Sequence, residues 1–244
     1  MLERLTVVVG GSIGWPSERR VVNFDGIEIC LLPQTHEQEA SAHIDLTKHR
    51  MAVDDAYTTV NRFLSAVAWK EDAGAANHGG WAGNQSEHPV PAARRALACN
   101  WANLFPNRSQ STSVQRRALS LYREALNAEE ACLPTFAVLG YYRILEMKGS
   151  GSQEDARKWI AAEEGRIRSL RWLKETLTRV DDARRSLGFS QYLMARCRVA
   201  VAHATSSNSG IDPDDILEIR RMSDAVEVLR CLARRFIEVE LGVE

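Results

Sequence analysis

The sequence lacks an excess of charge of either sign, because 31 lysines and arginines are balanced by 32 aspartates and glutamates. A formal net charge of −1 at pH 7 argues against a surface that binds nucleic acid non-specifically over its whole area. Long apolar runs are also missing, so we predict no transmembrane helix. The apolar residues 5–9 end at two glycines and lack both a basic flank and a cleavage site, so we predict no signal peptide. These absences predict a soluble, intracellular protein.

Ligand motifs are sparse as well. Residues 10–14 are rich in glycine, yet they lack the spacing of a dinucleotide fingerprint and contain no Gly-Lys-Ser/Thr. His36, Glu39 and His43 span a predicted loop-to-strand boundary, so we interpret them as solvated polar residues and not as metal ligands. We therefore predict no metal site and no cofactor. The cysteines are odd in number and contain no Cys-x-x-Cys pair, which favours reduced thiols in the cytoplasm; they are Cys30, Cys99, Cys132, Cys197 and Cys231.

The chain has enough apolar residues, 45% of 244, to bury a substantial core. Its first part is β-like. Short segments rich in β-branched residues predict strands over residues 5–9, 21–24, 27–32 and 42–46. Asp25-Gly26 between two of these segments predicts a hairpin. Residues 1–50 are therefore assigned to a small β-rich part, which is a candidate surface for a protein partner.

Helical periodicity begins near residue 51. An apolar stripe that includes Val53, Val60 and Leu64 predicts a helix over residues 51–70. Residues 71–93 are predicted to form a glycine-rich loop, in which Trp81 either covers a pocket as a lid or, as we favour, anchors the loop to the body of the protein. Residues 92–104 are predicted to form a short helix. These features define a second segment, residues 51–110.

Residues 111–244 are predicted to form a helical bundle, so the fold class is mainly α, and α+β overall. Pro134 should begin a helix that runs to about residue 148 and that is apolar nearly all round, hence central. Arg143 and Glu146 stand out on this helix as an i, i+3 pair. Ser152 and Asp212 are predicted N-caps of later helices. The remaining helices are expected over residues 112–127, 153–165, 166–185 and 188–204, and the last one reaches about residue 241.

The helix predicted over residues 188–204 carries the candidate site. On regular helical geometry Tyr192, Arg196, Val199 and His203 form one stripe, and Arg198 lies about 140° around the helix from His203. Residues 157–203 contain eleven lysines and arginines against five acids, a local excess of +6. This excess indicates either a solvated helix face or a patch that faces phosphate. Arginine and histidine on such a helix can also simply satisfy polar groups of neighbouring helices.

The sequence Arg198-Val-Ala-Val-Ala-His203 resembles the signature of the HEPN superfamily, an arginine and a histidine separated by four residues. Arg196 gives the longer, six-residue spacing that the superfamily also uses. HEPN proteins often carry Asn, Asp or His directly after the arginine, where this sequence has Val199. The resemblance implies a HEPN-like helical bundle of four to five helices.

A second segment strengthens this resemblance. Tyr141-Tyr-Arg-Ile-Leu-Glu146 is similar to the central-helix signature of the HEPN group, which makes Tyr142, Arg143 and Glu146 supporting residues of the site. Residues 61–69, the histidine motif and residues 212–215 also resemble bacterial proteins known as the J component of methylamine-utilisation clusters. That name reflects gene neighbourhood and specifies no chemistry.

The HEPN resemblance implies metal-independent cleavage of RNA, as in toxin or defence proteins. His203 would act as general acid and base, Arg198 or Arg196 would stabilise the charged phosphate, and Tyr192 would line the same face. Each chain supplies one such histidine, so the resemblance implies a site at a homodimer interface. Use of the 2′-hydroxyl restricts the substrate to RNA.

An alternative function remains open, that of a catalytically inactive binding or scaffold protein in a bacterial metabolic or defence cluster. In that case Arg198 and His203 bond to Glu146 or to the carboxylates of residues 212–215 and lock the bundle.

Overall fold

A computed structural model describes residues 4–83, 89–91, 112–149, 151–202, 211–212 and 215–243. The chain divides into two compact units, Met1–Arg123 and Glu124–Glu244. Helices dominate, and a small antiparallel sheet lies near the N-terminus. The predicted class, mainly α and α+β overall, is therefore confirmed.

The first unit contains the β-structure. Its strands are β1 (Arg4–Gly11), β2 (Arg20–Phe24), β3 (Ile27–Leu32), β4 (Gln38–Glu39), β5 (Ser41–Asp45), β6 (Ala75–Gly83) and β7 (Val90–Pro91). Five strands form an antiparallel sheet in the order β2-β3-β5-β1-β6, and β4 pairs with β7. The four predicted strands are confirmed. Asp25 and Gly26 both have positive φ, 52° and 80°, as a two-residue hairpin turn requires, so the predicted hairpin is confirmed too.

The loop predicted over residues 71–93 is wrong where β6 forms. This segment has no β-branched residue and gives no strand pattern, yet it pairs with β1, with Trp81 opposite Thr6 and Gly80 opposite Val7. A Cβ at Gly80 would lie 2.2 Å from the Thr6 carbonyl oxygen, so the close approach of the strands requires glycine there. Trp81 is 45% exposed and does not pin a loop. Residues 84–88 and the helix predicted over residues 92–104 lie outside the described residues.

His43 corrects another prediction. It lies in β5 with 1% of its surface exposed, so it is not a solvated residue. Its two ring nitrogens are within hydrogen-bond distance of the Thr6 and Ser41 hydroxyls, at 3.1 and 2.9 Å. Both nitrogens are therefore used inside the sheet. Within the described ranges, no group of three or more His, Cys, Asp or Glu side chains is placed to hold a metal ion.

Two helices complete the core of the first unit, α1 (Leu46–His49) and α2 (Val53–Glu71). The predicted α2 is confirmed, and it buries Val60 and Leu64 of the stripe that predicted it, while Val53 in its first turn is half-buried. The Phe63 ring packs edge-on against Phe24 of the sheet, with ring centroids 5.6 Å apart. This packing fixes the orientation of α2.

The remaining helices are α3 (Ser113–Glu130), α4 (Pro134–Leu145), α5 (Gln153–Arg168), α6 (Lys174–Arg184), α7 (Phe189–Tyr192), α8 (Ala200–Ala202) and α9 (Ile216–Leu241). In the second unit α9 packs against α4, α5 and α6. The prediction that α4 is buried nearly all round is only partly right. One side is buried, including Tyr141 and Tyr142, but Phe136 on the other side is 62% exposed.

Capping residues set several helix starts. Pro134 occupies the first turn of α4, and the Ser152 hydroxyl accepts a hydrogen bond from the Asp155 amide, both as predicted. Asp215, not Asp212, caps α9, because its carboxylate accepts from the Leu217 amide at 2.9 Å. The predicted cap at Asp212 is therefore wrong. Residues 213 and 214 lie outside the described part of the chain.

Candidate functional site

The helix that carries the motif is irregular. It begins as α7, continues as a π-helical segment, Leu193–Val199, and ends as α8. A π-helix bonds each carbonyl to the fifth residue onward instead of the fourth, so each residue turns less around the axis. Regular helical geometry therefore does not hold over Leu193–Val199, although Tyr192 and Arg196 of the predicted stripe still border one cleft, and His203 lies outside the described residues. Arg196 and Arg198 lie in the π-helical segment and line two different clefts.

Arg198 faces Glu146. The Arg198 Nε and the Glu146 Oε1 lie 2.9 Å apart, and the two side chains are only 19% and 16% exposed. Neither atom has an aligned hydrogen-bond partner in the described chain, so the attraction is an ion pair and not a directed hydrogen bond. The predicted pairing of Arg143 with Glu146 is not formed in this part of the structure; Arg143 is exposed and lines the same cleft.

Tyr142 lies beside this ion pair and is fully buried. Burial raises the pKa of the Tyr142 hydroxyl, and the Glu146 carboxylate raises it further. In the described residues this hydroxyl has no hydrogen-bond partner. The Tyr142 hydroxyl therefore remains neutral at physiological pH and adds no charge beside the Arg198–Glu146 pair.

The cleft beside Arg198 is apolar along most of its length, with a volume of about 560 Å³. Leu133 and Phe136 line one part of it, and Arg143, Glu146 and Arg198 supply its charge. A Cβ at Gly140 would lie 2.8 Å from the Ala125 Cβ, so α3 and α4 approach closely at the cleft floor. We call this region the apolar cleft.

Arg196 faces a second cleft, of about 460 Å³, which we call the arginine cleft. Its charged lining residues are four arginines and two acids: Arg184, Arg185, Arg196, Arg221, Asp182 and Glu218. Arg221 is ion-paired with Glu218 and also donates to the Arg196 carbonyl at 2.8 Å. The guanidinium groups of Arg185 and Arg196 have no ion pair among the described residues. This leaves two cations free to meet an anion.

A network of ion pairs holds the wall of the arginine cleft. Arg168 donates two hydrogen bonds to Asp181, each 2.8 Å long, and Arg184 donates to the same carboxylate at 2.7 Å. The Arg168 hydrogen bonds hold the pKa of Asp181 at about 2, with a further contribution from Arg184. Arg184 also donates to the Leu187 carbonyl. The next residue, Arg185, has φ 53° and ψ −117°, a conformation that side-chain-bearing residues rarely adopt.

Tyr192 borders the arginine cleft and is 1% exposed. Its hydroxyl lacks an aligned hydrogen-bond partner in the described chain. Burial raises the pKa of Tyr192 to about 12, with a smaller opposing effect from the charge of Arg221. Burial likewise raises the pKa of the neighbouring Cys197 thiol to about 12. Both groups are neutral near pH 7, so the charge of this cleft comes from its four arginines and two acids.

The structure thus divides the predicted site residues into two sets. Tyr192 and Arg196 border the arginine cleft, whereas Arg198 pairs with Glu146 beside Tyr142 and lines the apolar cleft together with Arg143. His203, the predicted acid and base, lies outside the described residues. Sequence reasoning missed the arginines supplied by other elements, namely Arg184, Arg185 and Arg221; the local excess of basic residues included the first two but did not identify their partners.

The fold and these clefts define an α+β protein whose C-terminal unit is a helix bundle with an arginine-lined cleft beside an irregular helix. Residues 118–238, just under half of the 244, match the family model described as methylamine utilization protein MauJ. This match supports the resemblance to the J component of methylamine-utilisation clusters. Neither the curated proteins nor the solved structures gave a match to this chain. None of the helices in the described ranges has both the length and the apolar character needed to cross a membrane.

Proposed function

We propose that the protein is a HEPN-type, metal-independent endoribonuclease, of the kind found in toxin and defence systems, that binds RNA phosphate in the arginine cleft. The observation that carries the proposal is the position of Arg196: its exposed guanidinium has no ion pair in the described chain and lines a cleft with three further arginines. A planar guanidinium offers paired donors that match phosphate oxygens and stays charged at every working pH.

The spacing from Arg196 to His203 supports this assignment over Arg198. Six residues separate Arg196 from His203, which is the longer HEPN spacing. Arg198, at the shorter spacing, is already neutralised by Glu146. In this proposal Arg196 binds and stabilises the phosphate, and Arg198 stabilises the fold through its ion pair with Glu146.

His203 supplies the proton transfers. Its ordinary pKa, about 6.5, suits a group that takes a proton from the 2′-hydroxyl and gives one to the leaving 5′-oxygen. One chain contributes one such histidine, so the proposed enzyme is a homodimer in which two motifs complete each other. The substrate is RNA because the attacking group is the 2′-hydroxyl.

The test is an incubation of labelled single-stranded RNA with the wild type, His203→Ala and His36→Ala, each with and without EDTA. We expect cleavage by the wild type and by His36→Ala, a control at an exposed histidine of the first unit. We expect none by His203→Ala. Equal cleavage by His203→Ala, or loss of cleavage with EDTA, contradicts the proposal.

A second candidate function is favoured by the Arg198–Glu146 ion pair. This pair links the π-helical segment to the end of α4, as a structural contact between helices does, and leaves Arg198 without free charge for a substrate. In this case the protein is a catalytically inactive HEPN-like scaffold of a metabolic or defence cluster, and its β-rich N-terminal part binds a protein partner. Absence of cleavage by a dimeric wild type, together with retained RNA affinity, would favour this candidate.

A further inference from the structure

A third cleft lies within the first unit, between α2 and the N-terminal part of α3. It has a volume of about 420 Å³ and is lined by Arg62, Arg116 and Arg117. Positions 58, 62 and 65 share one face of α2, and positions 113, 116, 117 and 120 share one face of α3, because residues three and four apart are neighbours on a helix. Two helix faces thus place arginines toward one concavity, which we call the α2–α3 cleft.

The charge of the α2–α3 cleft differs from that of an ordinary solvated helix face. None of its lining residues in the described chain is Asp or Glu. Elsewhere arginines pair with acids one turn away, as Arg157 does with Glu154 and Arg168 with Glu164. Arg62 and Arg117 are exposed and have no ion pair among the described residues. The cleft therefore carries positive charge that the described residues do not balance.

Neutral donors and a helix N-terminus add to this positive potential. The hydroxyls of Ser113 and Ser120 line the cleft and make no hydrogen bond in the described part of the chain. The N-terminus of α3 is held by Thr112, whose hydroxyl accepts from the Gln115 amide at 3.1 Å. Free amide groups at the first turn of a helix carry a partial positive charge and bind anions.

The floor of the cleft is held in place by hydrogen bonds to Asn61. Its carbonyl oxygen accepts from the Ser65 hydroxyl at 3.0 Å and from Arg123 at 2.9 Å. Its side-chain oxygen accepts from the Asn77 side-chain Nδ2 at 3.1 Å. These bonds fix the shape of the cleft before any ligand binds, which lowers the cost of binding.

We propose that the α2–α3 cleft is a binding site for a multiply charged phosphate group, such as the polyphosphate chain of a small molecule. Arg62 and Arg117, which have no ion pair among the described residues, match a group that carries at least two negative charges, more than one phosphodiester has. The apolar lining is limited to Ala66 and Leu119 and includes no aromatic ring on which a base could stack, so the ligand is recognised by its phosphates.

The probe is sodium tripolyphosphate, titrated calorimetrically into the full-length protein, with pyrophosphate and a single-stranded RNA in parallel. The test variant is Arg62→Gln/Arg117→Gln. The control variant is Arg50→Gln/Lys70→Gln, which removes two exposed cations of the same unit outside the cleft. Thermal unfolding of both variants establishes that the fold is kept.

We expect saturable tripolyphosphate binding by the wild type and the control, and about a tenfold or greater loss of affinity in the test variant. A parallel loss of RNA affinity identifies the RNA backbone as a source of the phosphates, and unchanged RNA affinity identifies a free polyphosphate compound. Absence of tripolyphosphate binding by the wild type, or an equal loss in the control, overturns the proposal. His203 and Arg196 are untouched by these variants, so this result is independent of the RNA cleavage test.

Discussion

Arg196 and Arg198 lie only two positions apart in the sequence, yet their side chains have different surroundings. Arg198 is mostly buried and pairs with Glu146, whereas Arg196 is exposed and borders a cleft lined by three further arginines and two acids. A buried ion pair is costly to break on one side only, because the remaining charge is left without a partner. An exposed arginine can be changed with little effect on stability. Substitution of Arg198 should therefore lower stability, whereas substitution of Arg196 should leave stability nearly unchanged.

Glu146→Gln should lower the free energy of unfolding by about 2–3 kcal/mol, because it leaves the Arg198 charge buried and unbalanced. Chemical denaturation followed by circular dichroism measures this change. Glu154→Gln is the control, since Glu154 forms an exposed pair with Arg157 on α5 and should change little. Equal changes in the free energy of unfolding would show that the Arg198–Glu146 pair stabilises the fold no more than an exposed ion pair does.

Among the secondary-structure elements, the π-helical segment is one whose geometry could not be predicted from the sequence. The helix itself, its start near Gly188 and its arginines were all readable from the apolar pattern. The π-helical bonding of residues 193–199 was not, because sequence periodicity assumes a regular turn. Angles counted from regular geometry therefore do not apply to residues 193–199, while the Arg198–Glu146 contact was among the expected alternatives.

Strand β6 is the second element that the sequence concealed. Strand prediction depends on β-branched and aromatic residues, and β6 has no β-branched residue and a single aromatic one, Trp81, among glycines and alanines. Its place in the sheet depends on pairing with β1, which is distant in the sequence, and local sequence patterns do not report such pairing. Gly80, one of the glycines that weaken the strand pattern, is also the residue that allows close pairing with β1.

Gly80→Ala should destabilise the sheet, because the added Cβ would meet the Thr6 carbonyl oxygen. We expect a loss of about 2 kcal/mol or more, in the range of other overpacking substitutions. Gly83→Ala on the same strand is the matched control, since its Cβ would meet nothing within 4 Å. Thermal unfolding compares the two, and similar unfolding temperatures would contradict the described β1–β6 register.

For the molecule as a whole, the near-zero net charge limits how RNA can be bound. A chain with a formal charge of −1 attracts RNA only through local clusters of cations. In the arginine cleft, Arg185 and Arg196 are the guanidiniums without ion pairs in the described chain. The electrostatic part of RNA binding should therefore be small and local.

The salt dependence of RNA binding measures this directly. Two phosphate contacts predict a slope of log affinity against log salt of about −1.4 for single-stranded RNA, since each contact contributes about −0.7. Fluorescence anisotropy over a range of salt concentrations gives the slope. A slope several times steeper would mean that RNA covers a much larger basic surface than this cleft.

The most direct test of the account compares RNA affinity for Arg196→Gln and Arg198→Gln, both in a His203→Ala background so that binding is measured without cleavage. The account predicts that Arg196→Gln lowers affinity for single-stranded RNA about tenfold or more and leaves the unfolding temperature unchanged. Arg198→Gln should lower the unfolding temperature and leave affinity unchanged. Loss of affinity in Arg198→Gln with full affinity in Arg196→Gln would contradict the assignment of the arginine cleft as the RNA site.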